Sequence, residues 1–224
     1  MTLMLFDKIY NRLKALKEHT NLLNYGRHII SRWFNVYAQN DLDQTYRVLD
    51  IGCSRGHDLL NIKKNTRATL EMHGIEITES YAKSAREEGI EVKQIDIERE
   101  VFDYADNFFD VIIANQVLEH TKELFWIYSE ARRVLKPGGI FIVGVPNLAS
   151  WHNRLLLLIG KQPAAIVLPG THVRGFTIDG LKKFSEANGL FAVKEIDGSN
   201  FYPLPWSAAK RLSHLIPSLS VCIF

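Results

Sequence analysis

Apolar residues recur three or four positions apart through the first forty residues, which is the spacing of an amphipathic helix. They predict one helix from Leu3 to about Lys17 and a second from about Asn21 to Gln39. The second helix carries a broad aromatic stripe that includes Trp33 and Phe34. We expect both helices to pack against the domain that follows, and a lid over a ligand is the alternative. Residues 1–43 are therefore predicted to form an N-terminal helical extension.

From Tyr46 onward, short apolar runs alternate with stretches of helical period. This order predicts an α/β domain over residues 44–224, with a mostly parallel sheet and helices on both faces. An insert is expected at residues 150–176. The predicted strands lie at residues 46–51, 69–77, 90–95, 108–115, 140–145, 190–196 and 220–224. The predicted helices lie at residues 56–65, 80–88, 122–135, 150–160, 177–188 and 207–215, and Tyr81 and Ala85 should face inward in the second of them.

Composition narrows the class of protein without naming a function. The 224 residues suffice for one full domain, and 46% hydrophobic with 23% charged residues is ordinary for a globular chain. A net charge of +2 without long basic runs gives no reason to expect nucleic acid as a partner. Two distant cysteines and no histidine cluster at metal spacing predict a reducing compartment and no metal. We find no secretory signal and no apolar run long enough for a membrane span, so we expect a cytoplasmic protein.

The most informative stretch is Asp50-Ile51-Gly52-Cys53-Ser54-Arg55-Gly56, which joins the first predicted strand to a helix. A strand, a glycine turn and a helix direct backbone N–H groups and the positive helix end to one spot. The stretch fits a dinucleotide fingerprint poorly, because that motif needs three glycines. It does fit the Gly-x-Ser-x-Gly elbow of a hydrolase, with Ser54 as nucleophile. A third alternative is the cofactor loop of a methyltransferase.

Acidic residues follow the next two predicted strands. Glu76 comes 26 positions after Asp50, near the spacing at which a carboxylate accepts hydrogen bonds from ribose hydroxyls in nucleotide-binding folds. Asp96 follows the third strand, where capping a helix is a serious alternative role. Because the carboxyl ends of parallel strands meet at one edge of a sheet, we expect these side chains to gather beside the turn.

These motifs together resemble the class I S-adenosylmethionine (SAM)-dependent methyltransferases. The resemblance rests on the turn at residues 50–56, on Asp110-Val111-Ile112 followed by Leu118-Glu119-His120, and on His172-x-Arg174-x-Phe176-Thr177. Ser54 stands where the family usually has a middle glycine. The resemblance covers about residues 46–224 and implies a Rossmann-like sheet of seven strands. In that sheet the seventh strand runs antiparallel between the fifth and the sixth.

The resemblance also implies the cofactor and the residues that hold it. The cofactor would be SAM, which leaves as S-adenosylhomocysteine, and no metal is implied. Glu76 would bind the ribose with Ile77 beside it, and Asp96 and Ile97 would contact the adenine. Asn115 and Gln116 would border the sulfonium. The methionine part would lie against Asp50, Gly52, Cys53, Ser54 and Gly56.

The methyl acceptor is expected to be a small molecule, with oxygen favoured over other atoms. A sugar-containing, lipid-linked or quinone-like acceptor would suit the apolar run Leu155–Ile159 and the aromatic side chains of Phe201, Tyr202 and Trp206. These residues could also be ordinary packing. We expect no membrane span, and peripheral contact with a lipophilic acceptor is left open.

A hydroxyl acceptor calls for a general base, and the candidates are His172 and His120. His120 could equally make a hydrogen bond on the cofactor side, and His172 could bind an anion together with Arg174. Two other functions stay open. One is a SAM-binding protein without catalysis, and the other, less favoured, is the hydrolase that uses Ser54.

Overall fold

The computed structural model describes residues 24–39, 44–168 and 170–224. Their strands form one seven-stranded sheet in the order β3-β2-β1-β4-β5-β7-β6, in which β7 is antiparallel to both neighbours. The predicted Rossmann-like sheet and the placement of the seventh strand are confirmed. The strands are β1 (Thr45–Ile51), β2 (Thr69–Ile75), β3 (Glu91–Lys93), β4 (Phe109–Asn115), β5 (Leu135–Pro146), β6 (Gly198–Ser199) and β7 (Cys222–Ile223).

Seven α-helices lie within the described residues, and the helix predicted at residues 3–17 lies outside them. The second predicted helix starts later than expected, at Arg27. Short 3-10 turns at residues 118–120, 187–189 and 217–219 complete the elements. The helices are α1 (Arg27–Ala38), α2 (His57–Asn65), α3 (Glu79–Glu87), α4 (Leu124–Val134), α5 (Trp151–Leu158), α6 (Ile178–Glu186) and α7 (Trp206–Leu215).

The sheet buries an apolar layer on each face. On one face, α1 places Ile29, Ile30 and Phe34 against the inner strands, and all three side chains are fully buried. On the other face, α4 does the same with one stripe of its surface, as its period predicts. The aromatic helix of the extension therefore packs on the domain as expected. Whether it also acts as a lid stays a prediction.

Strand order reverses between β1 and β4, which pair in parallel with Val48 opposite Val111. All seven residues of β4 are buried, so this strand lies in the middle of the domain. In an open α/β sheet, the crevice beyond the carboxyl ends at such a reversal is where ligands bind. The turn after β1 and the loop after β4 both open into that crevice.

Two predictions about the outer elements are wrong. Tyr81 is 39% exposed, and Ala82 joins Ala85 as the buried side of α3. Residues 190–196 form no strand, and the sixth strand is the pair Gly198–Ser199. The reason lies in β7, which pairs over only two residues and leaves residues 190–196 without a partner. A cavity of about 520 Å³ separates that segment from β5, away from the carboxyl ends of the strands.

Candidate cofactor and acceptor site

The turn after β1 needs glycine at both ends. Gly52 has a φ of +71°, and an added Cβ would lie 2.6 Å from Val117 Cγ2. Gly56 has a φ of +79°, and an added Cβ would lie 2.1 Å from Ile90 Cδ1. Ser54 between them also adopts the left-handed region, at φ 49°, a conformation that glycine takes more readily. The backbone therefore bends as the glycine-rich version of this turn would, with Ser54 in place of the middle glycine.

Glu76, directly after β2, holds the turn. One carboxylate oxygen accepts a hydrogen bond from Ser54 N–H at 3.0 Å, and the other accepts one from Thr78 N–H at 2.7 Å. A carboxylate has about four acceptor positions, so two remain for a ligand. Glu76 is only 8% exposed, so it is not a solvated charge at a strand end. The predicted approach of Glu76 to the turn is therefore a fact of the fold.

A second group of polar residues lies beneath the turn. Arg27 at the start of α1 bonds the carboxylate of Asp58 at 2.7 Å, and Asn115 donates to the other oxygen at 3.0 Å. Asp50 is buried beside them. Burial raises the pKa of Asp50 well above its usual range, and the nearby carboxylate of Asp58 raises it further. Burial likewise raises the pKa of Asp58, while Arg27 opposes that rise.

This region fits a cationic, adenosyl-bearing cofactor such as SAM. Three carboxylates, Asp50, Asp58 and Glu76, share one neighbourhood, so negative charge is costly there and a sulfonium or ammonium group would relieve the cost. Among the described atoms, Asn115 Oδ1 and Gln116 Nε2 are buried and have no hydrogen-bond partner. Buried amide atoms of this kind are normally paired, so they are available to a ligand at the end of β4.

The far end of the crevice is formed by the loops after β2 and β3. Ile77 is 60% exposed although it is apolar, which leaves it free to cover a flat ring. Asp96 accepts a hydrogen bond from Glu98 N–H at 3.0 Å within a turn, and no helix starts in the described stretch between β3 and β4, so the alternative of a helix cap is wrong. Ile97 beside it is partly buried against the core. A contact of Asp96 and Ile97 with adenine stays a prediction.

The acceptor side is built by two loops that meet. Val173 N–H and Arg174 N–H both donate to the carbonyl of Glu119, at 2.8 and 3.3 Å. This docks residues 171–174 on the 3-10 turn at residues 118–120. The ring centroids of His120 and His172 consequently lie 4.7 Å apart, with the rings edge to face. The two histidines predicted as general bases, 52 positions apart in sequence, thus occupy one spot.

One ring nitrogen of each histidine is hydrogen-bonded to a backbone carbonyl. His172 Nδ1 lies 2.7 Å from the carbonyl oxygen of Ala165, and His120 Nδ1 lies 3.2 Å from that of Thr171. A carbonyl can only accept, so each Nδ1 carries the proton and each Nε2 of a neutral ring is a proton acceptor. Burial lowers the pKa of His120, which favours its neutral form.

Glu119, of the Leu118-Glu119-His120 motif, completes this group, although the sequence pattern predicts no role for it. It is 1% exposed, and its Oε2 has no hydrogen-bond partner among the described atoms. One carboxylate oxygen of Glu119 and one ring nitrogen each of His120 and His172 all lie within 4.8 Å of one another. Burial raises the pKa of Glu119 from 4.5 to about 7.

Replacing Glu119 should change how stability depends on pH. The folded protein keeps the carboxyl proton up to about pH 7, whereas the unfolded chain loses it near 4.5, so ionisation destabilises the folded state as pH rises. The wild type should lose about 2–3 kcal/mol of unfolding free energy relative to Glu119→Gln between pH 4.5 and pH 8. Urea denaturation at both pH values measures the difference. Glu123→Gln, at an exposed position, is the matched control and should show none. Identical pH dependence of the wild type and Glu119→Gln would mean that Glu119 is ionised when folded.

Sequence reasoning missed Arg27, Asp58, Val117 and Glu119. Val117 fills the space that a side chain at Gly52 would take. Arg27 and Asp58 belong to two helices 31 positions apart, and nothing local in the sequence marks their contact. Glu119 lies in the Leu118-Glu119-His120 motif, but the sequence gives no sign that its side chain is buried. A signal that could have found Asp58 is its place in the first turn of the helix that follows the glycine turn.

Comparison with known proteins indicates the family of this chain. The profile of a methyltransferase-domain family matches residues 42–167. The mitochondrial ubiquinone biosynthesis O-methyltransferase of Homo sapiens is 27% identical over 183 residues, which cover 75% of this chain and 48% of that protein. The ubiquinone biosynthesis O-methyltransferase of Bradyrhizobium sp. (strain ORS 278) is 30% identical over 176 residues, which cover 74% of this chain and 67% of that protein. The chain therefore spans about half the length of its human relative.

A solved structure shares the fold. The SAM-dependent methyltransferase from Archaeoglobus fulgidus matches with a TM-score of 0.58 at 20% identity, over 88% of this chain and 91% of that one. The family uses SAM and indicates no metal. The family profile spans the glycine turn, Glu76 and the loop after β4, and together with these similarities it identifies the family of the sequence. The chain belongs to the class I SAM-dependent methyltransferases.

Proposed function

We propose that the protein transfers a methyl group from SAM to an oxygen atom of a lipophilic small molecule, of sugar-containing, lipid-linked or quinone-like character. The observation that carries the proposal is the meeting of two structures at one edge of the sheet. One is the acid-lined glycine turn held by Glu76, and the other is the histidine pair brought there by residues 171–174. A cofactor site and a proton acceptor at one edge are what O-methylation needs.

The chain's own residues would hold the cofactor by charge and shape. When bound, SAM supplies an activated methyl group on a sulfonium. The backbone of residues 52–56 would receive the methionine part, and the open acceptor positions of Glu76 would take the ribose hydroxyls. Asp50 and Asp58 would offset the cofactor's positive charge. Asn115 and Gln116 have the unpaired amide atoms to orient it.

The acceptor's proton would leave through the histidine pair. With Nδ1 fixed on a backbone carbonyl, Nε2 of His172 can accept the proton of a hydroxyl as the oxygen gains its new bond. His120, whose pKa burial lowers, stays neutral beside it and avoids a second positive charge. Oxygen as acceptor atom is also supported by the relatives, since both are named for O-methylation in ubiquinone biosynthesis.

Two measurements test the proposal in sequence. Denaturing the purified protein and analysing the supernatant by mass spectrometry should release SAM or S-adenosylhomocysteine, and calorimetry should show binding of SAM and none of NAD. A screen with phenolic lipids, quinols and glycolipids should then give a product heavier by one methyl group. Turnover of protein or nucleic acid alone would refute the acceptor class. SAM binding without any product would favour a non-catalytic SAM-binding protein.

The hydrolase alternative is separated by one variant. Ser54→Ala keeps the backbone N–H that bonds Glu76, so SAM affinity should stay within about threefold of the wild type. If Ser54 were instead the nucleophile of a hydrolase, this substitution would abolish all esterase activity. Esterase activity in the wild type that disappears in Ser54→Ala would overturn the assignment of the turn to SAM.

A further inference from the structure

Helix α5 in the acceptor-side insert buries a polar side chain and exposes apolar ones. Its one buried side chain is the polar Asn153, which donates to the carbonyl of Asn147 at 3.0 Å and accepts from Ala164 N–H at 2.8 Å. Three of its four leucines, Leu155, Leu157 and Leu158, are exposed, Leu158 to 82%. A helix on the surface of a globular protein normally shows the opposite arrangement. The same Asn153 bonds attach residue 164 to the helix, so helix and following loop form one unit.

Apolar side chains of that loop are exposed as well. Leu168 is 76% exposed, and Val173 is 50% exposed where the chain returns to the histidine pair. Scattered surface leucines need no explanation, but seven exposed apolar side chains within one insert do. We call this set the apolar face: Leu155, Leu157, Leu158, Ile159, Val167, Leu168 and Val173.

The charged residues of the insert itself have one sign. No aspartate or glutamate occurs from residue 131 to residue 178, and the insert carries Arg154, Lys161 and Arg174. All three are exposed, and none forms an ion pair with a carboxylate in the described part of the chain. Arg174 donates instead to the carbonyls of Thr121 and Lys122, which leaves its charge uncompensated. Leucine and isoleucine flanked by cations match the surface of an anionic bilayer.

We propose that the apolar face docks on the surface of an anionic lipid bilayer. Among residues 24–39, 44–168 and 170–224, no helix has the length and apolar character needed to cross one, so contact would be peripheral. The face lies in the same insert as His172, at the acceptor side of the crevice. The proposal does not depend on methyl transfer, because docking can be measured without cofactor or acceptor.

Co-sedimentation of the full chain with vesicles tests docking. Vesicles of phosphatidylcholine with about a third phosphatidylglycerol should bind the wild type. Pure phosphatidylcholine should bind it at least about tenfold more weakly, and high salt should reduce binding to the anionic vesicles. The double variant Leu158→Asp/Leu168→Asp should lower the partition coefficient on anionic vesicles at least about tenfold. Val36→Asp is the matched control, since Val36 is 55% exposed on α1 and lies outside the apolar face.

Both variants change exposed side chains, and thermal melts should match the wild type and confirm folding. A further variant, Lys161→Glu, should weaken binding to anionic vesicles and leave binding to neutral ones unchanged. Equal partitioning of the wild type and Leu158→Asp/Leu168→Asp, or no binding to any vesicle, would overturn the proposal. If sedimentation velocity instead showed a wild-type dimer that the double variant converts to a monomer, the face would be an interface with a second copy.

Discussion

Glu76→Ala should lower the affinity for SAM about 100- to 1,000-fold. The carboxylate accepts hydrogen bonds from Ser54 N–H and Thr78 N–H. Its loss would therefore destabilise the conformation of the glycine turn and remove the hydrogen-bond acceptor for the ribose hydroxyls. Hydrogen bonds to a charged group contribute about 1.5–3 kcal/mol each, and two of them correspond to at least two powers of ten in a binding constant. Isothermal titration calorimetry with SAM measures the change.

Two companions sharpen that result. Glu76→Gln keeps the shape and one acceptor oxygen, so its affinity should lie between those of the wild type and Glu76→Ala. Glu71→Gln alters an exposed carboxylate on β2, the strand that precedes Glu76. Glu71 pairs with Arg47 at 2.7 Å, and this variant should bind SAM as the wild type does. SAM affinity in Glu76→Ala within threefold of the wild type would show that Glu76 is merely structural.

His172→Ala should lower kcat for an oxygen acceptor about 100-fold or more, with SAM affinity unchanged. A positioned general base typically contributes about 10²- to 10⁴-fold. Added imidazole should restore part of the rate, which a purely structural defect would not allow. Steady-state kinetics with and without imidazole measures kcat, and calorimetry measures SAM affinity.

The matched control is His214→Gln, a change at an exposed histidine of α7 that pairs with Asp197. It should leave kcat unchanged. His120→Ala should reduce kcat less than His172→Ala if His172 is the base. The reverse order of the two variants would transfer that role to His120, and full activity in both would remove the base from the mechanism.

Much of the fold was predictable because its signals are local. The apolar runs of β1, β2 and β4 and the glycines at 52 and 56 each reflect a constraint that a few neighbouring residues satisfy. The cap of α6 is another case, since Thr177 Oγ1 accepts from Gly180 N–H at 3.1 Å as its position predicts. The prediction of a sixth strand at residues 190–196 failed because a strand exists only with a partner, and β7 does not reach that far.

The sequence by itself determined which residues end the parallel strands, and hence that Gly52, Glu76 and Asn115 share one edge of the sheet. Tertiary structure alone decided which polar groups lose water. It buried Asp50, Asp58 and Glu119, exposed three of the four leucines of α5, and brought His120 beside His172. The physical reason is range, since periodicity is written in adjacent residues. Burial and ion pairing instead depend on segments such as Arg27 and Asp58, which meet only after the chain has folded.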